Sequence, residues 1–141
     1  MRFWDTSAIV PLLVSQQQSE VMRDAFAADP EVIAWWATGL ECASALARLE
    51  REGRLTPRAI EASDRLSRLD ASWQEVLPSA RLRQLAGRVL RTHPLRTADA
   101  LQLAAALTAA DDDAGSITVV TLDDRLAEAA RRDGMPVLQP A

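Results

Sequence analysis

Ile117-Thr118-Val119-Val120-Thr121 is the stretch on which the fold is decided. It is β-branched from end to end and offers no strongly polar face, as expected of a central strand in a parallel sheet covered on both sides by helices. On its amino side, Asp111 to Ser116 reads as a turn, preceded by a helix with Thr97 as N-cap that runs to Ala110. On its carboxyl side, a helix from Asp124 to Arg132 stops at Gly134, and Pro136-Val137-Leu138 makes a short last strand.

The same alternation continues toward the N-terminus. Phe3-Trp4 begins a short buried strand, and Thr6-Ser7 can cap a helix from Ala8 to about Val14. An amphipathic helix is predicted near Ser19 to Ala28, a strand over Val32-Ile33-Ala34-Trp35, and a long helix from about Thr38 to Glu52 that ends at Gly53. Thr56-Pro57 reads as the next helix start, with Pro57 at its first position and Ile60, Leu66 and Leu69 on a loose apolar face. Trp73 to Leu77 is a third strand, and Pro78-Ser79 opens a helix ending near Leu90. Strands alternating with helices imply an α/β sandwich around a parallel sheet.

Composition narrows the chemistry. With 141 residues, 48% hydrophobic and 26% charged, the chain is expected to form one globular domain over 1–141. It contains no lysine, asparagine or tyrosine, and all 16 basic residues are arginine. Acid–base catalysis usually uses histidine, carboxylate, lysine, tyrosine or cysteine; only His93, Cys42 and the carboxylates remain. A net charge of −4 gives no global attraction to nucleic acid, although a local patch matters more. One cysteine permits no internal disulfide and fits a reducing cytoplasm. Arg2 is followed at once by Asp5, leaving no apolar core for a signal peptide, and no apolar run is long enough to span a membrane. A cytoplasmic location is therefore expected.

Four acidic residues stand beside apolar segments: Asp5 after Phe3-Trp4, Glu41 at the start of a helix, Asp99 in the alanine/leucine-rich helix and Asp123 after the central strand. Carboxylates are rarely buried without a partner, and a bound divalent cation accounts for all four together. In an open α/β sheet, ligands sit beyond the carboxyl ends of the strands at the topological switch point, where these positions would meet. Each also has a structural reading. Asp5 and Asp123 can cap the helices that follow them, and Glu41 and Asp99 fall in first turns, where a carboxylate favours the helix dipole.

The ordered set Phe3-Trp4-Asp5-Thr6-Ser7-Ala8, Glu41 with Ala45 to Leu49, Leu95 to Ala104 around Asp99, and Thr121-Leu122-Asp123-Asp124-Arg125-Leu126-Ala127 resembles a PIN domain, most closely its VapC-type toxin branch. That resemblance implies a flavodoxin-like three-layer sandwich with a five-stranded parallel sheet in the order 3-2-1-4-5. It also implies a metal-dependent ribonuclease, commonly dimeric and held in check by an antitoxin protein. Asp5, Glu41, Asp99 and Asp123 become the acidic quartet, with Ser7 and Thr121 as supporting hydroxyls. The Thr-x-Asp spacing selects Asp123 over Asp124. Asp5, Asp99 and Asp123 are expected to hold Mg2+ (or Mn2+), which keeps several waters and needs few carboxylates. Glu41 would bind a second ion or orient the attacking water, and Arg96 is expected at phosphate.

Other readings stay open beside that one: a PIN nuclease of general RNA processing, or a PIN-like module that binds RNA or a partner without cutting. A response-regulator receiver and a haloacid-dehalogenase-type phosphatase both lack their usual lysine here. Asp111-Asp112-Asp113 is expected to be a solvated loop, His93 an exposed structural residue, and Cys42 a small packed one. Of Trp35-Trp36, one belongs in the core and the other is free to stack on a base. Arg48, Arg51 and Arg54 read as a solvated helix face or as contacts to phosphate or an antitoxin.

Overall fold

Side chains alternate across a strand, so a strand buried on both faces must be apolar at every position. Three strands meet that demand at their buried positions. β1 (Arg2–Trp4) sends Phe3 to one face and Trp4 to the other. β2 (Val32–Trp35) divides Ile33 and Trp35 from Val32 and Ala34, and β4 (Thr118–Val120) divides Val119 from Val120. With β3 (Gln74–Val76) and β5 (Val137–Leu138) they form a five-stranded sheet in the order β3-β2-β1-β4-β5, parallel throughout. This is the expected flavodoxin-like sandwich. The computed structural model describes residues 1–55 and 57–140.

Helices cover both faces. α1 (Thr6–Leu13), α2 (Ser19–Ala28), α3 (Thr38–Arg51) and α4 (Ala59–Ser72) enclose the core around Trp4, Met22, Cys42 and Val120. α5 (Ala80–Thr92), α6 (Thr97–Ala110) and α7 (Asp124–Arg132) enclose the other, around Phe3, Trp35, Leu103 and Leu126. α6 is nearly all alanine and leucine, and buries Ala100 and Leu103 to Ala106 between α5, α7 and the sheet. Gly53 and Gly134 adopt φ of +71° and +88°, the left-handed conformation that ends α3 and α7. In each case the next amide closes back by five residues, Arg54 to the Leu49 carbonyl and Met135 to the Ala130 carbonyl, both at 2.9 Å.

Helix starts differ from expectation by small, explicable amounts. Thr97 is the first residue of α6 rather than its cap, the extended Arg96 taking the cap position. Thr6 and Ser7 likewise lie inside α1, with Asp5 before them. α4 begins at Ala59, because the Arg58 amide bonds the Leu55 carbonyl at 2.6 Å and holds Pro57 in a turn. Thr56, expected to open that helix, lies outside the described residues. Ile60 is 76% exposed and Ala62 is the buried residue of α4, so the apolar face runs through Ala62, Leu66 and Leu69. Among the described residues, no helix is long and apolar enough to cross a membrane.

The core assignment has a direct check. Phe3→Ala removes a ring that is 0% exposed and should lower unfolding free energy by about 3–5 kcal/mol. Ile60→Gln should change it by less than about 0.5 kcal/mol. Urea denaturation of both variants measures the contrast.

Candidate active site

The carboxyl edge of the sheet brings β1 and β4 side by side, with Trp4 opposite Val120. The chain leaves β1 through Asp5, whose amide bonds the Val120 carbonyl at 3.2 Å. It leaves β4 through Thr121 and Asp123. Asp5 is only 4% exposed, and although it occupies the cap position of α1 its side chain makes no capping hydrogen bond. Its partner is the Ser7 hydroxyl, which donates to Oδ1 at 2.8 Å. Ser7 Oγ in turn stands 3.3 Å from Thr121 Oγ1 and accepts the Leu122 amide at 2.9 Å. Thr121, fully buried, accepts the Asp123 amide at 3.0 Å. A lattice of two hydroxyls therefore ties the ends of β1 and β4 together around one buried carboxylate.

The other acids arrive on helix starts. Asp123 caps α7 through the Leu126 amide, at 2.9 Å to Oδ1, so the structural reading of this residue holds. Asp124 is exposed and accepts from Gln139 Nε2 at 2.6 Å. Glu41 and Asp99 are half-buried in the first turns of α3 and α6. Glu41 Oε1 accepts from Gln102 Nε2 at 2.9 Å, and the same amide nitrogen reaches Thr38 Oγ1 at 3.1 Å and Thr6 Oγ1 at 3.3 Å. Gln102, 2% exposed, thus pins α1, α3 and α6 to one another. Spacing carried the signal for it: a lone polar residue three positions after Asp99 in an alanine/leucine run shares its helical face.

Electrostatics join the set. Burial pushes the Asp5 carboxyl up to about 7, against the Ser7 and Thr121 hydroxyls, and the Asp123 charge adds to the rise. Burial also raises Glu41, opposed by Gln102 and reinforced by Asp99. Asp99 rises through burial and then Asp123, while Arg96 and Arg125 hold it down. Arg125 escaped the sequence reading; Arg96, expected near phosphate, is exposed beside Asp99. Cys42 is fully buried, and its thiol is pushed up to about 12 by burial, so it stays protonated and is a packed residue.

Among the described residues, no group of three or more His, Cys, Asp or Glu side chains is arranged, as oriented, to hold a metal ion. The donors nevertheless match a hard divalent cation in kind: carboxylate and hydroxyl oxygens, with no imidazole or thiolate. The repulsion that couples Asp5 to Asp123, and Asp99 to both Asp123 and Glu41, is what a cation would relieve.

The remaining candidates lie elsewhere. Asp111 ends α6, at the far end of that helix from Asp99, and Asp112 is an exposed residue 3.7 Å from Arg81. Trp35 is buried and Trp36 is 55% exposed, the two rings edge-on at 6.4 Å. Arg48 and Arg51 are exposed, and Arg54 lies 3.6 Å from Glu52. His93 departs from expectation, being buried at 6% exposure. Its Nε2 stands 3.2 Å from Asp133 Oδ1, within ion-pair range but not aligned as a hydrogen bond. Its ring stands against Asp133 at the end of α7, a tertiary contact invisible in a local His-Pro signal.

The raised Asp5 carboxyl has a measurable sign. In the folded protein it keeps its proton to about pH 7, whereas the unfolded chain releases it near 3.8. Stability should therefore fall as pH rises from about 4 to about 7 and level off above. In metal-free buffer, Asp5→Asn should be more stable than wild type at pH 8, on the order of 4 kcal/mol, and equal near pH 4. Thermal melts across that range measure it.

Comparison with known proteins agrees with the fold. The chain is similar in structure to VapC20 from Mycobacterium tuberculosis, a sarcin–ricin-loop-cleaving toxin, at 17% identity and a TM-score of 0.70, covering 99% of this chain and 100% of that one. It is similar to a toxin–antitoxin complex from Klebsiella pneumoniae at 15% identity and a TM-score of 0.68, covering 100% and 98%. It is also similar to PAE2754 from Pyrobaculum aerophilum at 20% identity and a TM-score of 0.68, covering 96% and 82%. None of the curated proteins matches the chain. The PIN domain family matches residues 2–132, nearly the whole length, and this chain, with its β3-β2-β1-β4-β5 sheet and acids at the carboxyl edge, belongs to that family.

Proposed function

We propose that the protein is a divalent-metal-dependent endoribonuclease and the toxin of a toxin–antitoxin pair. One observation carries the reading: Asp5, in a chain of the PIN family, is buried without a capping role and coupled to Asp123 across the carboxyl edge of the sheet. A buried carboxylate that leaves its cap position unused is a functional candidate on physical grounds. The likeness to a toxin and to a toxin–antitoxin complex supports the second half of the proposal.

Asp5, Asp99 and Asp123 would hold Mg2+ or Mn2+, with Ser7 and Thr121 fixing the Asp5 carboxylate. A divalent cation supplies charge neutralisation at the phosphodiester and a water of lowered pKa. Glu41, oriented by Gln102, accepts a proton from the attacking water, and Arg96 and Arg125 bind phosphate oxygen beside Asp99. The partners are an RNA substrate, a cognate antitoxin protein and a second copy of the chain, in the cytoplasm.

Cleavage of labelled RNA should require Mg2+ or Mn2+ and stop on chelation. Asp5→Asn should reduce it at least about 100-fold, and undiminished cutting by an Asp5→Asn/Asp99→Asn double variant sinks the site assignment. Because Asp5 must lose a proton to bind a cation, apparent metal affinity should weaken by up to about tenfold per pH unit below about 7. Titration calorimetry at pH 6 and pH 8 reads that effect. Expression should arrest growth, with relief by the neighbouring open reading frame; arrest without relief points to general RNA processing instead.

A further inference from the structure

α5 carries charge of a single sign. Within Ala80–Thr92 every ionised side chain is an arginine (Arg81, Arg83, Arg88 and Arg91) and none is acidic, in a chain whose net charge is −4. Helical spacing places Arg81, Arg88 and Arg91 on one face, spread over about 15 Å of helix axis. That face borders a cleft of about 600 Å³ between α5 and α6, whose walls also carry Gln84 and Thr108.

The two ends of the cleft differ. At one, Arg81 meets Asp112 at 3.7 Å, and Asp111 lines the same wall. Toward the other, among the described residues, neither Arg88 nor Arg91 has a carboxylate within 4.0 Å. From Arg91 the short connection 93–96 leads to Arg96, whose charge is felt at Asp99. Arginines are thus spaced from the cleft toward the acidic site. They pass Asp133, which borders a small pocket with Arg88, and Asp124 and Glu128, which are balanced by Arg125 and Arg132 on the same stretch of α7.

Resting on the ribonuclease reading above, we propose that Arg88 and Arg91 form a phosphate track that holds the backbone of a single-stranded RNA outside the catalytic centre and leads it past Arg96 to Asp99. Guanidinium groups suit this work because they stay charged and bind phosphate through paired donors. Three arginines line the cleft beside only three apolar side chains, Leu85, Leu107 and Ala114, a lining that suits a phosphate backbone better than the broad apolar face of a partner helix. Asp111 and Asp112 disfavour RNA at the Arg81 end, so the track runs from Arg88 toward Arg96.

The test uses the full chain carrying Asp5→Asn, so that bound RNA stays intact, and follows anisotropy of a labelled single-stranded oligoribonucleotide from 50 to 200 mM salt. Adding Arg88→Gln/Arg91→Gln should flatten the plot of log affinity against log salt by about 1.4, at about 0.7 for each lost phosphate contact. Arg131→Gln/Arg132→Gln, which removes equal charge from the end of α7, should leave the slope in place. An unchanged slope in an Arg88→Gln/Arg91→Gln protein of normal melting temperature overturns the track. So does loss of binding to poly-glutamate with RNA binding intact, which assigns the cleft to an acidic protein segment. Wild-type protein that cuts RNA while the slope stays unchanged refutes the track alone. A slope change without any cutting by wild type refutes the ribonuclease reading alone.

Discussion

The site depends on one burial: the Asp5 carboxylate, closed off from water at the end of β1, with a single hydroxyl donating to it. A carboxylate in that position is stable only if it keeps its proton or gains positive charge. Below about pH 7 the carboxyl keeps its proton, and the Ser7 hydroxyl, with Thr121 beside it, steadies the group locally. Ser7 and Thr121 connect the ends of neighbouring parallel strands, so the lattice that steadies Asp5 also fixes where Asp123 begins its helix. Arginine, the chain's one basic side chain of high pKa, stays outside this pocket, at Arg96 and Arg125 beside Asp99. Positive charge thus stands at the rim, while the centre remains electron-rich.

The four acids differ in what else they do. Asp123 is a true helix cap, and Glu41 and Asp99 lie in first turns where any carboxylate gains from the helix dipole. Such residues are cheap to keep for structural reasons alone. Asp5 is the exception, because it holds the cap position without using it. A helix start is a convenient place to display a carboxylate toward a strand edge, and three helices do so here with little strain on their own folding.

Much of this was legible in the residues. The β-branched run at Ile117 to Thr121, the glycine stops at Gly53 and Gly134 and the apolar Val32 to Trp35 each dictate local structure by local means, and the sheet order follows once the family likeness is noticed. The misreadings share a cause. Whether Pro57 or Ala59 starts α4, or whether His93 is covered, depends on contacts from residues distant in sequence or on a turn closed by one backbone bond. Gln102 lies inside the Leu95 to Ala104 motif, yet its role is not legible there, because a buried amide advertises itself only when its three acceptors on other helices are known. Distance between the carboxylates belongs to the same class: spacing in sequence brings them to one edge, but side-chain orientation decides whether they converge.

The division of the interior by the sheet has an evolutionary consequence. Phe3 and Trp4, or Val119 and Val120, are neighbours in sequence yet face separate cores with the strand backbones between them. A volume change on one side is absorbed by helices α5 to α7, and on the other by α1 to α4, without forcing compensation through the sheet. Each half can drift on its own while the strand ends, where Asp5 and Thr121 sit, stay in register. Lineages with little sequence in common can keep this edge intact, because the backbone partition separates the part that must be conserved from the two parts that are free to wander.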